Sequence, residues 1–322
     1  MARTAEVLVS LADAPRMRRW LHAVKPASWP KLFAPAILGQ AIGFADGGRF
    51  SVLALLAGLA FTALDAAAIV LLNDWGDREV DAIKRKRWPE SGSPKTIPDG
   101  ILSAGDVLFG GLFAGVLLLA LAFRAGPPLG RPAFGAMAVV SLVFVALYTF
   151  QPVRLNYRGG GELLEAAGVG VILPAIHAYL QSGQIASARV IALAPGLFAL
   201  ALSSAVASGL SDEDSDRLGG KRTFTTMFGN AASRAAVHGC LIAGALALLV
   251  GAAATRGATL GAAVPAALVL LASARPLLAA SPSAITRAWS AQSVYKGVLH
   301  RALWGGQLAM TVGVVAQRLL GL

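Results

Sequence analysis

Nine apolar stretches, each about the length that crosses the hydrocarbon core of a bilayer, dominate this 322-residue chain. They run approximately 28–46, 52–72, 103–123, 133–150, 162–180, 188–210, 233–253, 257–279 and 298–317, with Pro and Gly punctuating the gaps, as at Gly126-Pro127-Pro128 and Arg275-Pro276. Only 14% of the residues are charged against 56% hydrophobic, whereas a soluble domain carries about 25% charged residues. A water-soluble or disordered chain is therefore excluded, and the absence of a Gly-X-Y repeat or a sustained heptad excludes collagen-like and coiled-coil forms. The expected fold is all-α, a multi-pass membrane bundle of about nine transmembrane helices. Residues 1–24 carry Arg3, Arg16, Arg18 and Arg19 around a short apolar stretch broken by Asp13. They are expected to lie on the membrane surface as an interfacial segment and not to form a cleavable signal peptide. Residues 25–322 are expected to form one transmembrane domain. The single Cys240 has no intrachain disulfide partner and suits a small apolar packing position.

The basic residues predict an orientation. Of 28 Lys and Arg, 22 fall in the N-terminus and in loops 73–102, 151–161, 211–234 and 275–301, all on one side of a nine-span layout, leaving 6 on the other. The positive-inside rule places the first set in the cytoplasm, consistent with a bacterial inner or plasma membrane. The net charge of +11 is thus a signal of topology, with no nucleic-acid partner implied. Arg16, Arg18, Arg19 and the run Lys84-Arg85-Lys86-Arg87 are expected to attract anionic lipid head groups, each contributing about 1 kcal/mol near the surface.

The two longest polar segments, 73–102 and 211–232, follow spans two and six on the same side and resemble a weak parallel internal repeat. The first opens Asn73-Asp74-Trp75-Gly76-Asp77-Arg78-Glu79-Val80-Asp81. The i, i+3, i+7 spacing of Asp74, Asp77 and Asp81 sets three carboxylates on one face of a helix continuing out of span two. The second opens Asp212-Glu213-Asp214-Ser215-Asp216. Asp212 and Asp216 share a face, Asp214 is expected to be solvated, and Gly219-Gly220 ends the helix so that Lys221 and Arg222 return over the acidic groups. Two separated sets of hard oxygen donors without His or Cys suit Mg²⁺ and disfavour Zn²⁺ or Cu. Asp74, Asp77, Asp81, Asp212 and Asp216 are the expected ligands, bridging to a diphosphate whose remaining charge Lys221 and Arg222 neutralise.

These segments resemble the UbiA superfamily of intramembrane prenyltransferases, whose members carry N-D-x-x-D-x-x-x-D and D-x-x-x-D motifs after the second and sixth of nine helices. Asn73, Asp74, Asp77 and Asp81 match the first motif, and Asp212 and Asp216 with Gly220-Lys221-Arg222-Thr223 match the second. Lys25-Pro26-Ala27-Ser28-Trp29-Pro30, the stretch from Tyr148 through Pro152 to Glu162, and Phe228-Gly229 are similar to the 1,4-dihydroxy-2-naphthoate, or menaquinone, branch. Ser208, which stands where that branch often has Asn, and the basic run after Asp81 depart from it. The resemblance implies Mg²⁺-dependent transfer of a polyprenyl group from its diphosphate to an acceptor, commonly aromatic. Mg²⁺ and Lys221/Arg222 would stabilise the leaving group, and the apolar chamber would keep water from the allylic cation. Tyr148 would shield that cation with its ring face or, equally, serve as an interfacial anchor.

Asn73, Arg222, Lys95, Lys25, Arg154 and Ser208 complete the candidate substrate-binding set, Lys25 and Lys95 also fitting as ordinary anchors, the role assigned to Lys31. Asp65 within span two is a functional candidate because an ionisable group there is costly, a packed, hydrogen-bonded structural role being equally open. Glu162 is a site candidate by resemblance only, and Ser204 suits a helix contact. His177, His238 and His300 have no partner visible in the sequence and are expected to be packing or interface residues. Two other classes use the same acidic helices: a carrier of isoprenoid diphosphates, disfavoured by short and nearly uncharged outer loops, and a cyclase that needs no acceptor.

Overall fold

The computed structural model describes residues 11–91, 94–255 and 257–321. The first ten residues of the expected interfacial segment, Gly92 and Ser93 of the first polar loop, and Arg256 of the outer basic set lie outside them. The described residues are all-helical, with no strand among them.

A short helix, α1 (Arg16–Ala23), precedes α2 (Pro30–Gly47), α3 (Val52–Gly76), α4 (Arg78–Arg87), α5 (Ala104–Ala125) and α6 (Phe134–Thr149). A single turn, α7 (Leu155–Arg158), leads to α8 (Gly161–Ala167), a π-helical turn over Gly168–Ile172 and α9 (Leu173–Ser182), which together make one rod. Then follow α10 (Ala188–Gly209), α11 (Glu213–Leu218), α12 (Phe224–Ala254), α13 (Leu260–Ala280) and α14 (Trp289–Leu320). A helix thus stands on each of the nine apolar stretches. Six of the rods are long and apolar enough to cross a membrane: Val52–Gly76, Ala104–Ala125, Gly161–Ser182, Ala188–Gly209, Phe224–Ala254 and Leu260–Ser283. Phe134–Thr149 is apolar but shorter.

Helix ends follow the side chains available to cap them. Ser51, Ser103 and Ser187 accept the first free N–H groups of α3, α5 and α10, and Thr223 with Thr226 forms a capping box on α12. Outward faces carry what water would not tolerate: Phe109, Phe113, Val116 and Phe123 are all exposed along α5. Such a stripe marks a lipid-facing surface.

Between helices, small residues permit close approach where lipid offers no hydrophobic drive to association. A Cβ on Gly43 of α2 would lie 2.3 Å from the carbonyl oxygen of Ala178 on α9, and one on Gly39 would lie 2.3 Å from that of Pro174. The same interface holds a polar network that supplies the partners of His177 that the sequence does not show. Its Nδ1 lies 2.9 Å from Gln40 Nε2 and its Nε2 lies 2.8 Å from Thr62 Oγ1, tying α2, α3 and α9 together inside the bundle. His238 and His300 also have partners, the Arg234 carbonyl at 2.6 Å and Ser204 Oγ at 3.5 Å.

Candidate active site

The acidic segment after α3 is not one continuous helix. The chain breaks at Asp77 (φ −96°, ψ 4°), so Asp74 sits in the last turn of α3 and Asp81 in the first turn of α4. The break frees the carbonyl of Gly76, which needs a donor. Arg154 supplies it: Nη2 donates to that oxygen at 2.6 Å, while the guanidinium lies 3.6 Å from the Tyr157 ring centroid. Arg154, expected among the substrate-binding residues, is thus engaged in holding the bend. Asn156 beside it donates to Asp77 Oδ1 at 3.2 Å.

Each carboxylate except Asp216 is met by a lysine. Lys25 Nζ lies 2.5 Å from Asp74 Oδ1, Lys221 Nζ 2.8 Å from Asp77 Oδ2, Lys95 Nζ 2.6 Å from Asp81 Oδ1 and Lys84 Nζ 2.5 Å from Asp212 Oδ1. Thr96 donates to the other oxygen of Asp74 at 2.9 Å, giving the loosely matching stretch 91–100 a place at the site. Lys84 also donates to the Ser211 carbonyl at 2.8 Å, and Lys296 donates to the Ser211 hydroxyl at 3.0 Å. Helices α3, α4, α11 and α14 and four inter-helix segments therefore converge on one charged pole.

This pole corrects the lipid reading of the basic run. Lys84 is buried among the carboxylates and Arg85 pairs with Asp99 at 2.7 Å, leaving Lys86 and Arg87 as the exposed members. It also separates the expected ligands: among the described residues no three His, Cys, Asp or Glu side chains gather closely enough to hold a metal ion. The lysines stand between them instead. Asp214, expected to be solvated, makes an outer ion pair with Arg287 at 2.6 Å.

The field inside the pole sorts its groups. Burial alone would raise the pKa of Asp212, but Lys84, Lys95 and Lys296 outweigh it and hold the carboxyl well below the usual range. Asp216, buried and close to Asp212 and Asp77, is pushed up to about 8 despite Lys221. Burial disfavours the charged form of Lys95 and Lys221, yet the surrounding carboxylates more than reverse that and keep both protonated.

Beneath the pole, a cavity of about 310 Å³ runs between α2, α3, α6 and the α8–α9 rod. Asn73, Asp74, Lys25 and Tyr148 line its charged end; Ile69, Phe144, Val145 and Ile172 line its apolar depth. The Oδ1 atom of Asn73 is buried without a hydrogen-bond donor, as a group awaiting a ligand would be. Lys31, assigned above as an anchor, lines this cavity paired with Glu165. The remaining candidates lie elsewhere. Arg222 is exposed, Ser208 is exposed with its hydroxyl on the Ser204 carbonyl at 3.0 Å, and neither lines the cavity. Glu162 accepts from the Phe224 N–H at 2.7 Å and so holds the start of α12.

Sequence reasoning missed Lys84, the Lys31–Glu165 pair and Asn156. Lys84 had a legible signal, standing three residues after Asp81 on the same helical face. The other contacts join residues far apart in the chain.

Comparison with known proteins shows the family. Residues 32–295 match the model of the UbiA prenyltransferase family. The chain is 28% identical over 241 residues to the 1,4-dihydroxy-2-naphthoate octaprenyltransferase of Escherichia coli (strain K12), covering 73% of this chain and 76% of that one. Its fold is similar to that of a UbiA homolog from Archaeoglobus fulgidus bound to DMAPP and Mg²⁺ (TM-score 0.63, 15% identity, 91% of this chain and 99% of that one). It is also similar to a digeranylgeranylglyceryl phosphate synthase (TM-score 0.61, 14% identity, 94% and 99%). An apolar helical bundle with an acidic pole over a membrane-depth cavity, matched along most of its length by that family, identifies the chain as an integral membrane prenyltransferase that belongs to the UbiA prenyltransferase family.

Proposed function

We propose that the protein transfers a polyprenyl group from its diphosphate to an aromatic, dihydroxynaphthoate-like acceptor, in a step of quinone or other prenyl-lipid synthesis. The observation that carries this reading is the clustering of the two acidic segments with four lysines at one pole, where Asp74 and Lys25 also line the charged end of an apolar cavity. The naphthoate-prenylating relative supports the acceptor class.

The donor set, hard carboxylate oxygens with no His or Cys at the pole, fits Mg²⁺. Asp74, Asp77 and Asp81 from the first acidic segment and Asp212 and Asp216 from the second, too far apart to hold a metal ion by themselves, would hold it only together with diphosphate oxygens. When bound, Mg²⁺ draws electron density from the diphosphate and so eases its departure. Lys221 and Lys25 add positive charge where the leaving group accumulates negative charge, in a pocket that screens little. Breaking the allylic C–O bond leaves a delocalised carbocation, which the apolar wall of Phe144, Val145 and Ile172 protects from water and the Tyr148 ring face can shield. The electron-rich ring of the acceptor then attacks the cation, forming the new C–C bond and releasing a proton.

The charged pole is assigned to the cytoplasm with the majority of basic residues. The exposed Arg16, Met17 and Arg18 of α1 suit an interfacial helix on anionic lipid. The deciding experiment uses purified protein in detergent with Mg²⁺ and polyprenyl diphosphates of several lengths, following pyrophosphate with and without dihydroxynaphthoate and hydroxybenzoate. Acceptor-dependent release is expected; release that ignores the acceptor would convert the reading to a cyclase.

A further inference from the structure

Five charged side chains line the cavity: Lys25, Lys31, Asp65, Asp74 and Glu165. Four of them neutralise one another, Lys25 with Asp74 at the pole and Lys31 with Glu165 at the side. Asp65 is left over. It is 4% exposed, sits in the middle of α3, and no cation pairs with it among the described residues. Its one hydrogen bond comes from the Ser141 hydroxyl of α6, donated to Oδ1 at 2.9 Å. Oδ2 has no protein donor among the described residues.

A carboxyl group at membrane depth is costly and needs a second partner. Packing does not supply one, because Asp65 and Ser141 both border open space. The register places that space usefully. Asp65 precedes Asp74 by nine residues on one helix, about 13 Å of rise, and Ser141 precedes Tyr148 by seven on another, about 10 Å. The Asp65–Ser141 bridge is therefore a second, deeper polar level of the same cavity, opposite the diphosphate pole, with room for the reacting centre between them.

We propose that Asp65, held by Ser141, is a specificity-determining residue for the acceptor: Oδ2 accepts a hydrogen bond from a hydroxyl on the aromatic ring. This deepens the prenyltransferase reading and rests on it for the identity of the ligand. The hydroxyl points away from the diphosphate, so the bond orients the ring with a carbon toward the breaking C–O bond. The Lys31–Glu165 pair is already neutral, so the cavity offers the acceptor the free oxygen of Asp65 and, among the described residues, no unpaired lysine.

The test pairs a change in the ligand with a change in the protein. Binding of 1-naphthol and of 1-methoxynaphthalene is measured by isothermal titration calorimetry to the full-length protein in detergent, then to Asp65→Ala and to Asp65→Leu. The Leu variant fills the site with an apolar side chain that membrane helices accept. The wild type should prefer the naphthol by about tenfold relative to both variants, the worth of one hydrogen bond to a carboxylate. Ser141→Ala should reduce the preference partially, and binding of a polyprenyl diphosphate should stay within twofold throughout. An equal preference in wild type and variants overturns the proposal, as does no preference in the wild type. These are binding measurements, so a wild type that shows the preference but never turns over would sink the transferase reading while upholding the Asp65 site.

Discussion

Lys221 Nζ lies 2.8 Å from Asp77 Oδ2 across 144 residues of sequence, and in the same position it stands 5.4 Å from the centre of the Tyr157 ring. One side chain from the second acidic segment thus closes on the first. Gly220, at φ +71°, makes this possible by turning the chain out of α11 through a backbone conformation that side-chain-bearing residues rarely adopt.

Removing that cation should be felt in chemistry before folding. Lys221→Met is expected to lower kcat/KM for the polyprenyl diphosphate by about 100-fold, the scale for loss of one preorganised charge at a leaving group. Initial rates of pyrophosphate release measure it, and a rate within threefold of wild type would remove Lys221 from the site.

Asp74 meets Lys25 from the segment before α2, and Asp212 meets Lys84 from the first acidic segment. Asp74→Ala and Asp212→Ala should each abolish measurable turnover, a loss of at least about 100-fold, in protein that still elutes as a single species. Undiminished activity in both variants would sink the metal assignment.

Chelation gives an independent handle. Treatment with EDTA should stop pyrophosphate release and excess Mg²⁺ should restore it, while Zn²⁺, which favours nitrogen and sulfur donors, should restore little. Activity that persists through chelation and dialysis would contradict a divalent cation at the carboxylates.

Two glycines separate packing from flexibility. A Cβ on Gly43 meets the Ala178 carbonyl at 2.3 Å, whereas one on Gly239, inside α12, meets nothing within 4 Å. Gly43→Ala should therefore cost about 1–3 kcal/mol through overpacking, and Gly239→Ala should be neutral or stabilising by about 0.5–1 kcal/mol through helix propensity. Thermal unfolding in detergent distinguishes them.

Deletion of the buried imidazole is the third packing test. His177→Ala leaves Gln40 and Thr62 without their partner, which should lower stability by about 1–3 kcal/mol without changing KM for the diphosphate. A matched loss of substrate affinity would show that the network reaches the site.

The positions of the helices and both acidic segments were legible because they rest on local pattern: apolar length, the i, i+3, i+7 spacing of Asp74, Asp77 and Asp81, and the Gly-Gly pair after α11. The pairing of the counter-ions was not. Lys25, Lys95 and Lys221 stand among the candidates, but which carboxylate each meets, 14 to 144 residues away, is set only by folding. Lys84, despite the spacing that puts it on the face of Asp81, was masked by its neighbours, since one buried lysine inside a run of four basic residues has the same local composition as an exposed one. The break at Asp77 escaped because it depends on Arg154 and Tyr157 from a distant loop. His177 escaped for the same reason, its partners being on two other helices.

The π-helical turn over Gly168–Ile172 sets the phase of an entire rod. In an uninterrupted α-helix, residues four apart drift by about 40° per step, so a wall built from Leu164, Gly168 and Ile172 would spiral away from the cavity before reaching Ile176. The turn absorbs one additional residue, its last hydrogen bond running from the Leu173 N–H to the Gly168 carbonyl, and all four side positions stay on the lining. The same offset delivers Pro174 and Ala178 to the glycines of α2. Chain length between Glu165 and His177 is consequently a more stringent parameter than residue identity there: dropping a single residue would rotate everything beyond it by about 100°, shutting the cavity wall and the histidine network out of register together.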